Sequence, residues 1–300
     1  MSNTEGYTIA LAAPSRFCTQ DQVEQISDFL TGLGFKVHVP DGILARDGQL
    51  AGTVEHRADL MNELLRDASI DAILCVRGGY GAGQLLPFLQ APQRDKTPLL
   101  CGFSDTTALH CWMQQQGLTS LHCPVGTTLL TAEQSVVEHF VASVKGEISQ
   151  FQAESEGWVT GSTEGVLVGG NLSVLYSLRG TPYFPNLEGK ILFLEDLDEM
   201  LYHVDRMLNN FHLSEEWDKL NGVILGQFSD MRDNTKEFGF SSDNPFGYNV
   251  EEILRRYFGD LKIPVAFGFP AGHEPENMAL HFGRKIRLEV TSESTRIEYH

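Results

Sequence analysis

One stretch decides the fold around it: Leu99-Leu100-Cys101-Gly102-Phe103-Ser104-Asp105-Thr106-Thr107. Its apolar start predicts a buried strand ending at Gly102-Phe103, and the residues from Ser104 to about Gln116 follow a helical pattern. Serine often caps a helix, so an N-cap is the ordinary interpretation of Ser104. The alternative is a nucleophile, because N–H groups converge at a helix start and the helix dipole favours negative charge there. Taken alone, the stretch favours the cap.

Strands and helices alternate before this stretch. Strands are predicted at Tyr7–Pro14, Phe35–Pro40 and Asp71–Val76, and helices after Thr19 and over His56–Ala68. This alternation predicts βαβ units and a parallel sheet, so the fold class is α/β. Functional sites of such sheets form at the carboxyl ends of the strands.

A glycine-rich loop, Arg77-Gly78-Gly79-Tyr80-Gly81-Ala82-Gly83, follows the third strand. It fits a phosphate cradle, an oxyanion donor or a tight turn, because consecutive glycines let a backbone approach a ligand closely. The loop lacks the G-x-G-x-x-G pattern and no G-K-[ST] follows, which argues against nucleotide binding. The tight turn is favoured by local sequence alone.

The polar segment after Gly146 lacks strong hydrophobic periodicity and is interpreted as a linker. We expect an N-terminal domain over residues 1–150, a linker over 151–164 and a smaller C-terminal α/β domain over 165–300. The main predicted elements of the latter are strands Lys190–Leu194, Gly222–Gly226 and Ile263–Phe267, helices Tyr202–Phe211 and Val250–Phe258, and a hairpin over Lys285–Tyr299. Asp230–Asn249 is a polar loop of a length that often signals function or mobility.

Composition excludes several classes of protein. A net charge of −18 argues against a nucleic-acid partner, since such binding depends on Lys and Arg neutralising phosphates. No apolar run approaches the ~20 residues that span a bilayer, and the first residues lack signal-peptide features. We therefore expect a cytoplasmic protein without a membrane partner.

The thiols and histidines predict neither a disulfide framework nor a metal site. The five cysteines are odd in number and show no C-x-x-C spacing, as reduced thiols would. The pairs His110-Cys111 and His122-Cys123 lack zinc-ligand spacing. We expect no cofactor and no metal.

A serine nucleophile needs a base and a group that orients the base. Of the ten histidines, His273 lies on a glycine-flanked turn, Pro270-Ala271-Gly272-His273-Glu274, whereas most others lie in helical or strand patterns. Glu195 ends the most hydrophobic strand of the second half, where an unused carboxylate would be costly. The nearby Asp196, Asp198 and Glu199 are interpreted as a solvated turn.

Five motifs in one order carry a resemblance to a known family: Val76-Arg77-Gly78-Gly79-Tyr80-Gly81, Gly102-Phe103-Ser104-Asp105-Thr106-Thr107-Ala108-Leu109, Gly169-Gly170-Asn171-Leu172, Leu194-Glu195-Asp196 with Asp205-Arg206-Met207-Leu208, and Gly268-Phe269-Pro270-Ala271-Gly272-His273. Together they resemble the LD-carboxypeptidases, serine peptidases that include muramoyltetrapeptide carboxypeptidase and the microcin C self-immunity peptidases. The resemblance spans residues 7–290.

The resemblance implies a catalytic triad of Ser104, Glu195 and His273. It also implies an oxyanion hole made by the N–H groups of Asp105 and of the Gly78-Gly79 turn, assigned to Gly79. The spacing from Glu195 to His273 is longer than expected for the family, which leaves Glu199 as an alternative acid.

The implied fold is an N-terminal sheet resembling class I glutamine amidotransferases, with Glu and His supplied by the C-terminal domain of a homodimer. The implied reaction releases terminal D-alanine from murein tetrapeptides in peptidoglycan recycling. Free-carboxylate recognition requires a cation or an N–H nest. Arg77 and Arg206 are candidate donors, and Gly78 and Asn171 are further candidate substrate-binding residues.

Two other functions stay open on the sequence. A self-immunity peptidase would cleave a microcin C-type aminoacyl-nucleotide and favour an aromatic side chain near the site to stack on the base. A non-catalytic binding protein on the same fold would hold Ser104, Glu195 and His273 beyond hydrogen-bond reach of one another. A glutaminase is less favoured, since Ser104 follows the strand and Cys101 lies inside it.

Overall fold

The computed structural model of the chain describes residues 6–92 and 97–300. The first five residues, which entered the signal-peptide argument, lie outside this range. The chain forms two compact units. The N-terminal unit comprises the chain up to Glu147 together with Gly180–Tyr183 and Met278–Gly283; the C-terminal unit comprises Ile148–Arg179, Phe184–Asn277 and Arg284–His300.

The N-terminal unit is built on a six-stranded sheet. Numbered along the chain, its strands are β1 (Thr8–Ala12), β2 (Lys36–His38), β3 (Ala72–Cys75), β4 (Leu99–Gly102), β5 (Ser120–His122) and β12 (Leu280–Phe282). Their order across the sheet is β12-β5-β4-β3-β1-β2. All neighbours are parallel except β12, which runs antiparallel to β5. The predicted α/β class and parallel sheet are confirmed.

The helices of this unit follow the predicted alternation. They are α1 (Gln20–Gly32), α2 (Val54–Arg66), α3 (Thr107–Gln115), α4 (Gly126–Leu129) and α5 (Gln134–Val144). The predicted cap Thr19 begins α1 with a capping box, in which its side chain accepts the Gln22 N–H and the Gln22 side chain accepts the Thr19 N–H. The core lies between helices and sheet and includes fully buried Ile9, Leu11 and Leu74.

The C-terminal unit is built on an eight-stranded mixed sheet. Its strands are β6 (Gln150–Glu154), β7 (Glu156–Val159), β8 (Gly161–Asn171), β9 (Lys190–Leu197), β10 (Gly222–Ser229), β11 (Val265–Phe267), β13 (Lys285–Val290) and β14 (Ser294–Tyr299). Their order across the sheet is β6-β14-β13-β8-β9-β10-β11-β7. Its helices are α6 (Leu172–Ser177), α7 (Leu201–Leu213) and α8 (Val250–Phe258). The predicted closing hairpin is the antiparallel pair β13–β14.

The linker interpretation of residues 151–164 is wrong. This segment forms β6, β7 and the start of β8, and β6 pairs with β14 while β8 pairs with β13. In Gln150–Glu154 the exposure of the side chains alternates residue by residue, so one face of the strand is partly covered and the other is exposed to solvent. Only Phe151 and Ala153 supply the apolar half of that alternation.

Strand β12 is a second departure from the predicted domains. Leu280–Phe282 comes late in the chain, inside the predicted C-terminal domain, yet it pairs with β5 of the N-terminal sheet. Phe282 packs edge-on against His110 at 5.3 Å between ring centres. No helix of the described residues is long and apolar enough to cross a bilayer.

Candidate active site

Ser104 lies at a sharp turn between β4 and α3. Its φ of 61° is in the left-handed region, which costs a non-glycine residue about 1–3 kcal/mol and is a feature of strained strand-to-helix nucleophile turns. The short 3₁₀ turn Ser104–Thr106 is preceded by Phe103, and the cap of α3 is Thr106. Ser104 therefore does not cap the helix, and the ordinary interpretation of its place in the sequence is wrong.

The glycine-rich loop after β3 runs directly past this serine. A Cβ on Gly78 would lie 3.3 Å from the Cβ and 3.4 Å from the Oγ of Ser104. At Gly79, φ is 121° and a Cβ would overlap the Arg16 side chain at 2.6 Å. A side chain at Gly78 would crowd Ser104, and one at Gly79 would collide with Arg16, so the glycines allow the loop backbone to lie this close to its neighbours.

His110 supports the strand end that precedes Ser104. Its Nε2 lies 2.9 Å from the Gly102 carbonyl oxygen and its Nδ1 lies 2.9 Å from Ser120 Oγ. A carbonyl only accepts, so Nε2 carries the proton and Nδ1 accepts from the serine hydroxyl. Burial lowers the pKa of His110 to about 4, so the imidazole is neutral near pH 7.

In the C-terminal unit, Glu195 and His273 meet through a short hydrogen bond. His273 Nδ1 lies 2.6 Å from Glu195 Oε2, across 78 residues of sequence. The Glu195 side chain is fully buried, and its Oε1 has no hydrogen-bond partner in the part of the chain the structure describes. The carboxylate makes Nδ1 the protonated nitrogen, which leaves the basic lone pair on Nε2. A histidine held in this way can act as a general base through Nε2.

The loop that carries His273 is held on both sides by Gln227. The Gln227 N–H donates to the Ala271 carbonyl, its Oε1 accepts the Glu274 N–H, and its Nε2 donates to the Glu276 carbonyl. The buried Asn277 also accepts the Gly272 N–H at 3.2 Å. These contacts fix the backbone on either side of the histidine.

Asp196 differs from its predicted place on a solvated turn. It is buried, and it accepts hydrogen bonds from Asn171 Nδ2, the Ser173 N–H and the Leu197 N–H. Burial first, and then the neighbouring Glu195 carboxylate, raise the pKa of Asp196 to about 8 despite these donors. The strand β9 also continues through Asp196 and Leu197, so Glu195 is an interior strand residue.

The competing acid Glu199 lies elsewhere. Its Oε2 pairs with Nδ1 of His203 at 3.3 Å, four residues along the chain. The longer spacing from Glu195 to His273 includes the Asp230–Asn249 loop, which comes between β10 and α8. The structure therefore brings His273 to Glu195 and not to Glu199.

The predicted substrate-binding residues have different surroundings. Asn171 caps α6 through its Oδ1 and donates to Asp196, so its side chain serves the fold. Arg206 is exposed on α7 with its guanidinium 5.1 Å from the Tyr202 ring centre. Arg77 is half-buried, and its one hydrogen bond within residues 6–92 and 97–300 is a long 3.4 Å contact to the Phe17 carbonyl, which leaves most of its donors available there.

Sequence reasoning missed the polar residues that position the site. Gln227 was part of an unassigned stretch after a predicted strand, and Asn277 lay in an unassigned segment. A signal existed for Gln227, because it follows the apolar run Val223-Ile224-Leu225-Gly226 at the carboxyl end of a strand. Among the described residues, no group of three or more His, Cys, Asp or Glu is arranged to hold a metal ion.

Comparisons with known proteins give the family of this fold and site. The model of the LD-carboxypeptidase N-terminal domain matches residues 9–123, and that of the LD-carboxypeptidase C-terminal domain matches residues 164–288. A murein tetrapeptide carboxypeptidase of Pseudomonas aeruginosa is 32% identical over 297 residues, which cover 94% of this chain and 92% of that protein. The chain belongs to the LD-carboxypeptidase family.

Other relatives agree with this assignment. The crystal structure of muramoyltetrapeptide carboxypeptidase from Oxalobacter formigenes superposes with a TM-score of 0.84 at 26% identity, covering 97% of this chain and 98% of that one. The microcin C7 self-immunity protein MccF of Escherichia coli is 26% identical over 95% of this chain and 90% of that protein. Membership of this family supports a peptidase function for the chain.

Proposed function

We propose that the chain is a serine-type LD-carboxypeptidase that releases terminal D-alanine from murein tetrapeptides. The observation that carries this proposal is the 2.6 Å bond between the buried Glu195 carboxylate and His273 Nδ1. A buried acid aligned on one nitrogen of a histidine is what a base needs to act on a nucleophile through the other nitrogen. The strained Ser104 turn supports the serine as that nucleophile.

The proposed reaction has two halves. In the first, Ser104 Oγ attacks the carbonyl of the L-configured residue while His273 Nε2 takes the hydroxyl proton, and Glu195 stabilises the imidazolium. The tetrahedral oxyanion binds the N–H groups of Asp105 and Gly79, each worth about 3 kcal/mol. Its collapse breaks the peptide bond, and His273 returns the proton to the amine of the leaving D-alanine.

In the second half, water replaces D-alanine and hydrolyses the acyl-enzyme. His273 removes a proton from the water, a second oxyanion forms in the same N–H pair, and the proton then passes to Ser104 as the tripeptide leaves. Every step uses groups of the chain and water.

We further propose that the enzyme acts in the cytoplasm as a homodimer in peptidoglycan recycling. Light scattering on the purified protein measures the oligomeric state.

The test is incubation of the protein with a murein tetrapeptide and quantification of free D-alanine. Wild type should release it stoichiometrically, and Ser104→Ala should release none above background. The matched control is Ser27→Ala, which removes a hydroxyl that donates to Val23 on α1 of the same unit. Absence of release by wild type, or undiminished release by Ser104→Ala, would refute the proposal.

A second candidate function is hydrolysis of a microcin-type aminoacyl-nucleotide, favoured by the similarity to MccF over nearly the whole chain. Base stacking would require a suitably placed aromatic side chain. Trp217 is buried against Phe211 and Phe258, and Trp158 stacks on Phe267 at 4.4 Å with Arg255 above it. Both rings are used in packing, so we rank the murein substrate first. Side-by-side kinetics with a tetrapeptide and an aminoacyl sulfamoyl adenosine rank the two directly.

A further inference from the structure

The buried carboxylate of Asp105 joins three loops at the carboxyl edge of the N-terminal sheet. Its Oδ2 accepts the hydroxyl of Ser15 at 2.5 Å and the N–H of Ala82 at 2.8 Å. Ser15 follows β1, Ala82 follows β3, and Asp105 follows β4, and these three strands are neighbours in the sheet. In the proposed mechanism Asp105 contributes only its backbone N–H, so neither its carboxylate nor the Ser15 hydroxyl takes part in the reaction.

The three groups are deeply buried. Ser15 is fully buried and Asp105 is 5% exposed. Burial raises the pKa of Asp105, while the Ser15 hydroxyl, the Ala82 N–H and the cations Arg57 and Arg16 act against this rise. A buried carboxylate is costly unless it is hydrogen-bonded, so the two donors and the nearby arginines compensate its burial.

Arg57 reinforces the same loops from the other side. It is buried, and its Nη1 donates to the carbonyls of Pro14 and Gly81, which precede Ser15 and Ala82 in the chain. Its Nη2 donates to Gln84 Oε1 at 2.7 Å. The loop after β3 is therefore attached at its end by two buried, oppositely charged side chains.

The beginning of that loop lies against the nucleophile turn. Gly78 approaches Ser104 so closely that a Cβ on Gly78 would lie 3.4 Å from Ser104 Oγ. The segment 78–82 therefore contacts the nucleophile turn at both of its ends. Gly78 lies against Ser104, and the Ala82 N–H donates to the side chain of Asp105. Ser104 itself has a strained φ, which persists only where the surroundings enforce it.

We propose that Asp105 is a positioning residue whose carboxylate, bound by Ser15 and Ala82, locks the Gly78–Gly79 loop against Ser104. The lock keeps the loop's N–H groups at the oxyanion position before substrate arrives. Preset donors are effective because no reorganisation is needed during reaction, and a displacement of about 1 Å costs on the order of 100-fold in rate. The inference rests on the proposed serine chemistry and adds a role for the Asp105 side chain.

The kinetic test compares Asp105→Ala, Asp105→Asn and Ser15→Ala with wild type on the tetrapeptide. For Asp105→Ala we expect kcat to fall about 10- to 100-fold while KM changes less than about threefold, since the oxyanion forms only after binding. Asp105→Asn keeps an oxygen that can accept both bonds and should recover most of the rate. Ser15→Ala should show an intermediate loss, because the Ala82 bond remains.

The matched control is Asp71→Ala. Asp71 Oδ2 accepts the Thr8 N–H at 2.8 Å, so it also ties β1 to β3, but at the amino edge of the same sheet. A merely structural role for Asp105 predicts that both alanine variants lower the melting temperature alike and that neither changes kcat at temperatures where it is folded. That result would overturn the inference.

Hydrogen exchange separates this inference from the proposed function. In Asp105→Ala the amides of residues 78–82 should exchange at least 10-fold faster than in wild type, while those of α2 should not change. This measurement needs no substrate, so the lock can be confirmed even if wild type releases no D-alanine. Unchanged exchange in residues 78–82 would refute the lock even if the enzyme is active.

Discussion

The proposed activity of the Glu195–His273 pair depends on which ring nitrogen of His273 carries the proton. Because Glu195 Oε2 accepts from His273 Nδ1, the variant Glu195→Gln can present an amide N–H to that nitrogen and stabilise the wrong tautomer. We expect kcat on the tetrapeptide to fall about 10³- to 10⁴-fold with little change in KM. Glu199→Gln, whose parent carboxylate contacts His203, is the matched control and should keep kcat within about twofold. Equal losses in the two variants would exclude Glu195 as the orienting acid.

His110 makes the stability of the fold depend on pH. Its pKa is about 4 in the folded chain, because of burial, against about 6.5 when unfolded, so the unfolded state binds more protons between these values. The contribution of His110 to the free energy of unfolding is therefore fully present above about pH 6.5 and is lost as the pH falls toward 4. From this group alone we expect a loss of about 2 kcal/mol between pH 7.5 and pH 5.

Urea unfolding at the two pH values, with His110→Gln and His38→Gln beside wild type, measures this contribution. His110→Gln should be less stable at pH 7.5 but should lose markedly less on acidification. His38→Gln removes an exposed histidine and should follow wild type. A slope in His110→Gln as steep as that of wild type would show that other groups control the acid response.

At the scale of elements, the conformation of the loop after β11 positions His273. Gly272 has a φ of 144°, and a Cβ there would lie 3.1 Å from Gln227 Cβ and 3.3 Å from Glu195 Cβ. Gly272→Ala should therefore displace His273 from Glu195, lowering stability by about 1–3 kcal/mol and kcat by at least about 10-fold. Thermal unfolding and tetrapeptide kinetics measure the two effects.

Gly239→Ala is the control that separates the cost of backbone strain from the loss of the contacts made at Gly272. Gly239 has a φ of 86° with nothing within 4 Å of an added Cβ, so its substitution carries conformational cost without a collision. It should lose stability and keep its kcat. If both variants lose kcat equally, the contacts of Gly272 with Glu195 and Gln227 do not position the base.

The sequence predicts these elements well where hydrophobic periodicity is strong. Helix Val250–Phe258 has the predicted bounds, β3 and β4 agree within one residue at each end, and α3 begins three residues later than predicted. The β6 strand was missed because Phe151 and Ala153 give too little apolar signal in a polar run. Its stability comes from pairing with β14, which lies about 140 residues later and which no local pattern contains.

The candidate site likewise has features that could be predicted from the sequence near them and features that could not. The shared sheet edge of Ser104 and the Gly78-Gly79 turn was predictable from the alternation of strands and helices, because parallel strands place the loops after their carboxyl ends at one edge. Their proposed roles were not, since local sequence alone favoured a helix cap and a tight turn. The pairing of Glu195 with His273 crosses 78 residues and was predictable only from the family resemblance. Asp196 was misassigned because a carboxylate beside other acids looks solvated in sequence. Its burial is explained by hydrogen bonds from Asn171 Nδ2 and from the N–H groups of Ser173 and Leu197, which no local pattern indicates.

At the scale of the whole molecule, the two units are not consecutive halves of the chain. Residues 278–283 belong to the N-terminal unit although residues on either side belong to the C-terminal unit. The short segment from His273 to Leu280 therefore connects the loop of the proposed base to β12 of the sheet that carries Ser104. Cutting the chain near residue 150 would leave the N-terminal sheet without this edge strand.

The charge of the whole molecule opposes its proposed substrate. The chain carries a net charge of −18, and a tetrapeptide with a free carboxylate is attracted only by local cations. Salt screens the long-range repulsion, since the Debye length falls from about 30 Å at 0.01 M to about 10 Å at 0.1 M. We therefore expect kcat/KM to rise a few-fold over this range while kcat stays constant.

The local cation is expected to be Arg77, which is half-buried beside Gly78 and has most of its donors available. Arg77→Gln should raise KM for the tetrapeptide about 10-fold or more, as loss of a charge-assisted hydrogen bond does. Arg206→Gln removes the same charge from an exposed site on α7 and should leave KM within about twofold. Michaelis–Menten kinetics at low and high salt distinguish the two contributions. If kcat/KM falls with salt, or if Arg206→Gln has the larger effect, the carboxylate binds elsewhere and the chain attracts its substrate through a different region of its surface.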